Sequence, residues 1–287
     1  MSAAGEHLQY AGWSFVLPPE AGEMSEYARE QLIAILLDTV AGRRGMPFKR
    51  SARATTWKVQ VVNPLGDSIN LFIKQLDPMR GWARTKRIGR ESRVAHVLAI
   101  SGQLSRAGFA VPRVLIAASS PTGHEAMVTE QLPGFMLTWW MNPAHGIGPD
   151  VRRAILQALG REVAHLHSQG FIHGDLTPYN VFVTSDDPVR IAFLDHERSR
   201  RWRIGIGVAR QRMRNLVQLG HFALAGVSRS DKLRVLVSYA DAMGLQRRKT
   251  VRTMARMIQR RLQKDRAGAR DAEHAAIAME EGSAGGR

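Results

Sequence analysis

The sequence predicts an α+β protein in two parts, a small antiparallel sheet with one helix followed by a mainly helical half. Three observations carry this. Stretches rich in β-formers alternate with turn residues up to about residue 130. Apolar residues at helical spacing dominate from Pro149 onward. Pro133-Gly134 breaks the chain between the two regimes. The length of 287 residues suits two such parts.

The elements follow in order. Leu32, Ile33, Leu36 and Leu37 mark a first helix, which Gly42 and Gly45 end. Thr55 to Val62 and Ile69 to Ile73 read as a hairpin around the turn residues Asn63-Pro64-Leu65-Gly66-Asp67. A basic helix is expected from about Thr85 to Arg106, with Val94, Val97, Leu98 and Leu104 as its apolar face. Strands over Arg113 to Ala117 and Glu125 to Glu130 complete the first part.

In the second part Pro149 opens a helix that buries Ile155, Leu159, Val163 and Leu166 and stops at Gly170. A polar loop over Phe171 to Asn180 leads into short strands at Val181 to Val183 and Val189 to Leu194. Three helices are expected after that, over about Val208 to Ala225, Asp231 to Ala242 and Thr250 to Lys264. Ser228 and Asp231 have the spacing of a capping box. The domain boundaries are then 1–44 for an N-terminal accessory segment, 45–132 for the sheet-bearing lobe, 133–266 for the helical lobe and 267–287 for a flexible tail.

Composition narrows the function. Cysteine is absent, which excludes disulfides, cysteine-ligated metals and a thiol nucleophile. The net charge of +16 and pI near 11.2 predict attraction to polyanions: nucleic acid, anionic lipid head groups or phosphorylated glycans. The longest apolar run, Leu32 to Leu37, falls far short of the roughly 20 residues a membrane helix needs. Glu6 and His7 interrupt any secretory signal. The expectation is a cytoplasmic protein, peripheral to the cytoplasmic membrane.

Four separated features fall in a meaningful order. Lys74 ends a strand, and Glu91 follows 17 residues later in the basic helix. The loop His173-Gly174-Asp175-Leu176-Thr177-Pro178-Tyr179-Asn180 comes after a long helix, and Phe193-Leu194-Asp195 ends a strand. This order resembles the protein-kinase-like fold: strand lysine, helix glutamate, H-x-D-x-x-x-x-N loop and metal aspartate. Phosphoryl transfer needs positioning and charge neutralisation more than covalent chemistry. The resemblance implies that Lys74 holds the ATP phosphates and that Glu91 pairs with it. Asp175 would take the proton of the attacking hydroxyl. Asn180 and Asp195 would hold Mg2+, and nucleotide would lie near a hinge at Glu130.

The departures point away from regulated protein kinases. Arg50-Ser51-Ala52-Arg53-Ala54-Thr55-Thr56 stands where a Gly-rich loop would be, so its amides, Arg53 and the threonines are expected to cover phosphate. Gly174 replaces the arginine that reads a phosphorylated activation loop, and no A-P-E follows Asp195. Asp195-His196-Glu197 looks like small-molecule kinases in which a second acid touches a metal, so Glu197 is a further metal candidate. Its alternative is a salt bridge to Arg198, Arg200 or Arg201.

The sequence is most similar to the bacterial lipopolysaccharide kinase family, which phosphorylates Kdo or heptose of the inner core. The residues that carry this are Phe72-Ile73-Lys74, Val128 to Gly134, His173 to Asn180, Phe193 to Arg198, Arg214 to Leu219 and the helix Ser228 to Tyr239. The resemblance implies ATP, Mg2+ and an anionic glycolipid or glycan acceptor at the inner membrane face. Arg198, Arg200, Arg201, Arg203, Arg210, Arg212 and Arg214 would then bind acceptor anions.

The basic helix from Arg247 to Arg266 has the apolar stripe Val251, Met254, Ile258 and Leu262. It would either lie on anionic lipid or pack on the helical lobe with its basic face in solvent. His165 and His167 are two residues apart and share no helix face, so no metal is expected there, and His173 reads as a hydrogen-bonding member of its loop. Two other functions compete: an atypical Ser/Thr protein kinase, and a pseudokinase scaffold that binds anionic lipid or nucleic acid. Retention of Lys74, Asp175, Asn180 and Asp195 disfavours the scaffold, and nucleic acid is not the expected partner.

Overall fold

Residues of alternating polarity over 54–62 and 68–76 form the two long antiparallel strands around which the first sheet is built. The computed structural model describes residues 6–18, 24–51, 53–62, 68–78, 92–202, 207–222, 224 and 226–264. The chain divides into two units. The first is Met1–Pro133 with Phe193–Ser199, and the second is Gly134–Ala192 with Arg200–Arg287.

The first unit contains β1 (Glu6–Tyr10), β2 (Trp13–Leu17), α1 (Glu26–Val40), β3 (Pro47–Arg50), β4 (Ala54–Val62), β5 (Ser68–Leu76), α2 (Arg93–Arg106), β6 (Val114–Ser119) and β7 (Glu125–Glu130). The strands form one antiparallel sheet in the order β1-β2-β6-β7-β5-β4-β3. The sequence sets residues 1–44 apart as an accessory segment. The structure instead hydrogen-bonds β2 to β6, with Phe15 opposite Ala118, so this segment extends the same sheet.

Period-two alternation assigns the faces of β5. Leu71 and Ile73 are fully buried in a core shared with Leu32, Ile33 and Leu36 of α1. Leu76 joins Val94 and Val97 of α2 in a second cluster, with Met127 of β7. Lys74 has the parity of Leu76 and sits opposite Met127, so it stands on the α2 face. Each buried Leu or Ile of α1 contributes on the order of 1.5–3 kcal/mol. Both helices start on a serine cap. Ser25 Oγ accepts the Ala28 N–H at 3.2 Å, and Ser92 Oγ accepts that of Ala95 at 3.1 Å. The expected helix over Thr85 to Arg106 is therefore seen from Arg93, and residues 79–91 lie outside the described part.

The second unit contains β8 (Phe135–Met136), α3 (Leu137–Met141), α4 (Pro149–Ser168), β9 (Phe171–Ile172), β10 (Val181–Asp186), β11 (Val189–Phe193, whose last residue belongs to the first unit), β12 (Arg200–Arg201), α5 (Val208–Gly220) and α6 (Arg229–Ala242). A final helix, α7, covers residues 247–264. The capping box of α6 forms: Ser228 N–H donates to Asp231 Oδ2 at 2.9 Å, and Asp231 N–H to Ser228 Oγ at 3.1 Å. Helices α4 and α6 pack so closely at Gly160 that a Cβ there would lie 2.5 Å from the Val235 carbonyl oxygen. Met254 and Ile258 of α7 are buried, with Ile258 against Gly220 of α5, while Arg248, Lys249, Arg252, Arg256, Arg260 and Lys264 are exposed. This is the packed alternative for the basic helix. The residues of the expected tail, 267–287, lie outside the described part.

Candidate active site

In the first unit, β5 presents Lys74 and the segment after β11 presents two acids to it. Lys74 Nζ lies 3.0 Å from Asp195 Oδ1 and 2.5 Å from Glu197 Oε1. Burial alone would lower the Lys74 ammonium. The charges and hydrogen bonds of Asp195 and Glu197 outweigh it, and the net direction is up from the ordinary value. Lys74 is thus held as a cation.

Asp195 adopts the left-handed conformation at φ 63°, uncommon for a residue other than glycine. A single 3-10 turn, His196–Arg198, follows it. His196, the residue after Asp195, is buried. Its Nε2 lies 2.9 Å from the Phe193 carbonyl, so it carries the proton, and Nδ1 accepts the Ser199 hydroxyl at 3.0 Å. His96 of α2 closes the connection by donating from Nε2 to the Ser199 carbonyl at 2.8 Å.

The first turn of helix α2 is fixed a second time, at Arg93. Glu125 Oε1 accepts the Arg93 N–H at 2.6 Å, Glu125 Oε2 pairs with Arg93 Nε, and Arg93 Nη2 donates to the Asp77 carbonyl at 2.7 Å. Glu130, at the end of β7, pairs with Arg113 at 2.9 Å. Glu91, the expected partner of Lys74, lies outside the described residues.

The position of the missing Gly-rich loop is a tight turn between β3 and β4. Ser51 Oγ accepts the Arg53 N–H at 3.4 Å and the Ala54 N–H at 3.1 Å. These two amides, expected to cover phosphate, are spent on the turn itself. Ala52 lies outside the described residues.

In the second unit the loop after β9 brings Asp175 and Asn180 together. Gly174 takes φ 75°, which explains glycine in place of a side chain that would strain there. Asp175 O accepts the Thr177 N–H at 2.9 Å and Asn180 Nδ2 at 2.9 Å. With its nitrogen committed, Asn180 keeps Oδ1 as its acceptor atom. An amide oxygen is a hard donor of the kind magnesium takes. Among the described residues no group of three His, Cys, Asp or Glu side chains forms a metal cage.

A buried network from α4, α5 and α6 supports this loop, and sequence reasoning gave it no role. Asn215 Oδ1 accepts the His173 N–H at 3.0 Å, so it is the acceptor for His167 Nε2–H at 3.2 Å as well. His167 Nδ1 then accepts the Tyr239 hydroxyl at 2.9 Å. Asn215 Nδ2 donates to Gln218 Oε1 at 3.1 Å, and Gln218 Nε2 donates to the Gly174 carbonyl at 3.2 Å. Burial, with the nearby Arg212 charge, holds His167 down to about 4 against the hydrogen bond it donates to Asn215. The same burial pushes Tyr239 up to about 12. His167 is therefore a neutral hydrogen-bonding side chain. The sequence signal was available: Asn215 and Gln218 are polar residues three apart among Leu216 and Leu219 on an amphipathic helix.

The arginines after Asp195 divide. Arg212 Nη2 donates to the His167 carbonyl at 2.7 Å, which ties this arginine to the end of α4. Arg201 lies over the Phe171 ring at 5.1 Å. Arg198, Arg200, Arg201, Arg210 and Arg214 are exposed, and Arg203 lies outside the described residues.

A strand lysine paired with an aspartate two residues past the end of a later strand, with an ordered H-x-D-x-x-x-x-N loop, defines the class as protein-kinase-like. The family model described as "Lipopolysaccharide kinase (Kdo/WaaP) family" matches residues 79–239, more than half of the chain. The chain belongs to that family. It is also 30% identical over 119 residues to "Protein InaA" of Escherichia coli (strain K12), a match covering 39% of this chain. The chain spans about half the length of that curated relative, 55% of it. None of the described helices is long and apolar enough to cross a membrane.

Proposed function

We propose that this protein transfers the γ-phosphate of ATP to a hydroxyl of an anionic, lipid-linked inner-core sugar, Kdo or heptose. The observation that carries the reading is the ion pair of Lys74 with Asp195 at 3.0 Å, joining residues 121 apart in sequence. Family membership supports a kinase and is the reason for choosing a lipopolysaccharide-like acceptor. Lys74 would bind phosphate oxygens of the nucleotide, and Glu130 would stand at the nucleotide's hinge. Asn180 and Asp195 would hold magnesium, which when bound supplies positive charge against the phosphates.

Asp175 accepts the proton of the sugar hydroxyl as that oxygen attacks the γ-phosphorus. Asn180 Nδ2 on the Asp175 carbonyl fixes the loop that carries this carboxylate. The exposed Arg200, Arg201, Arg210 and Arg214 would bind carboxylates or phosphates already on the acceptor. The exposed basic face of α7 would keep the protein peripheral to an anionic inner membrane face, which makes it cytoplasmic.

The test is transfer of labelled γ-phosphate from Mg-ATP to purified, phosphate-poor lipopolysaccharide core. Label in the glycolipid is the expected result. Label on protein, with none in the glycolipid, would replace this reading with that of a protein kinase.

A further inference from the structure

We propose that Glu197 is the acid that positions Lys74 for the nucleotide phosphates, and that it is not a metal ligand. The proposal rests on the reading of Lys74 as the phosphate-binding lysine. Four features of the first unit support it.

A lysine ammonium on a flexible four-carbon stem needs a fixed counter-charge to present its protons in one direction. Helix α2, which covers the Lys74 face of the sheet, carries no acid among its described residues Arg93 to Arg106, and Glu91 lies outside the described residues. Among the described residues the acid at 2.5 Å comes from the turn after Asp195. Asp195 holds the same ammonium at 3.0 Å, the longer of the two contacts.

The turn that carries Glu197 is pinned on both sides. His196 bonds to the Phe193 carbonyl and to the Ser199 hydroxyl, and His96 of α2 holds the Ser199 carbonyl. Glu197 therefore stands on a framework fastened to the same helix that would otherwise supply the acid. Its side chain is 25% exposed and that of Lys74 is 21% exposed, so water weakens the pair only in part.

A cation that bound Glu197 would compete with the Lys74 ammonium for one carboxylate. Lys74 has three N–H donors. One kept on Glu197 leaves the others for phosphate oxygens, and Asp195 would be the acid that holds magnesium. Glu197 is thus a positioning residue, acting through Lys74.

The experiment measures the affinity of the full chain for a fluorescent ATP analogue, and the Mg2+ concentration that half-saturates that binding. Four variants are compared with wild type: Glu197→Gln, Glu197→Asp, Lys74→Ala and the double variant Lys74→Ala/Glu197→Gln. Glu197→Gln should weaken nucleotide binding by about tenfold, the scale of one charge-assisted hydrogen bond. Its Mg2+ half-saturation should match wild type, and the double variant should bind no more weakly than Lys74→Ala. Glu197→Asp, which keeps the charge one methylene short, should fall in between and controls for folding, with thermal midpoints recorded for all variants.

A several-fold rise in the Mg2+ requirement of Glu197→Gln, additive with Lys74→Ala, would overturn the proposal in favour of a metal ligand. Wild-type affinity in Glu197→Gln would overturn it outright. A wild-type chain that binds no nucleotide would overturn the kinase reading itself, an outcome visible before any variant is compared.

Discussion

The side-chain carbonyl of Asn215 holds the backbone N–H of His173 at 3.0 Å, 42 residues earlier in the chain. One amide thereby ties the loop bearing Asp175 to helix α5, and through His167 to α4 and Tyr239 of α6. Asn215→Leu keeps the volume but leaves the His173 N–H and His167 Nε2–H without an acceptor. Each orphaned buried donor costs about 1–3 kcal/mol, so the variant should lose about 3 kcal/mol by urea denaturation. Its phosphotransfer should fall further than stability alone explains, because the Asp175 loop loses its anchor. Unchanged urea midpoints would show that the network does not hold the loop.

The buried His167 makes stability depend on acid. Its folded value of about 4 lies below the ordinary 6.5, so the unfolded chain takes up the proton first as pH falls. The stabilisation from His167 is complete above about 6.5 and is lost between 6.5 and 4. The full loss is roughly 3 kcal/mol, of which about 2 should be gone at pH 5. Urea midpoints at pH 7.5 and pH 5 read this directly. His167→Gln cannot titrate and should lose less stability over that interval, and equal losses in the two proteins would contradict the assignment.

Glu125 pins the start of helix α2. It receives both the backbone and the side chain of Arg93, and the two side chains are 11% and 9% exposed. Removing one partner of a buried pair leaves the other charge uncompensated, at a cost of about 3–5 kcal/mol. Glu125→Ala should therefore be strongly destabilised in a thermal melt. The double variant Arg93→Met/Glu125→Leu should recover most of that loss. A Glu125→Ala melt equal to wild type would show the pair to be inconsequential.

Much of this was legible in the sequence where the signal is local. The β4–β5 hairpin, the α4 start at Pro149 and the Ser228–Asp231 capping box follow from neighbouring residues alone. Strands β1 and β3 are mostly exposed and short, so they lack the alternation that betrays a strand. Two-residue strands such as β8, β9 and β12 have no period to detect.

The same division holds in the site. The His173 to Asn180 loop and Asp195 could be read from spacing. The partner of Glu197 could not. Its sequence neighbours Arg198, Arg200 and Arg201 were the obvious cations, yet the turn places it on Lys74 in a distant strand. The bond of Arg212 to the His167 carbonyl, 45 residues away, has no local signal either.

The most direct measurement is the phosphate content of the acceptor itself. Phosphate-poor lipopolysaccharide core, incubated with Mg-ATP and wild-type protein, is isolated and weighed by mass spectrometry beside the product of Asp175→Asn. The expected result is one added phosphate per acceptor with wild type, at a rate lowered about 10²- to 10⁴-fold in the variant, the usual contribution of a general base. Equal rates in the two proteins, or an acceptor that never gains phosphate while the chain turns over ATP on another substrate, would contradict it.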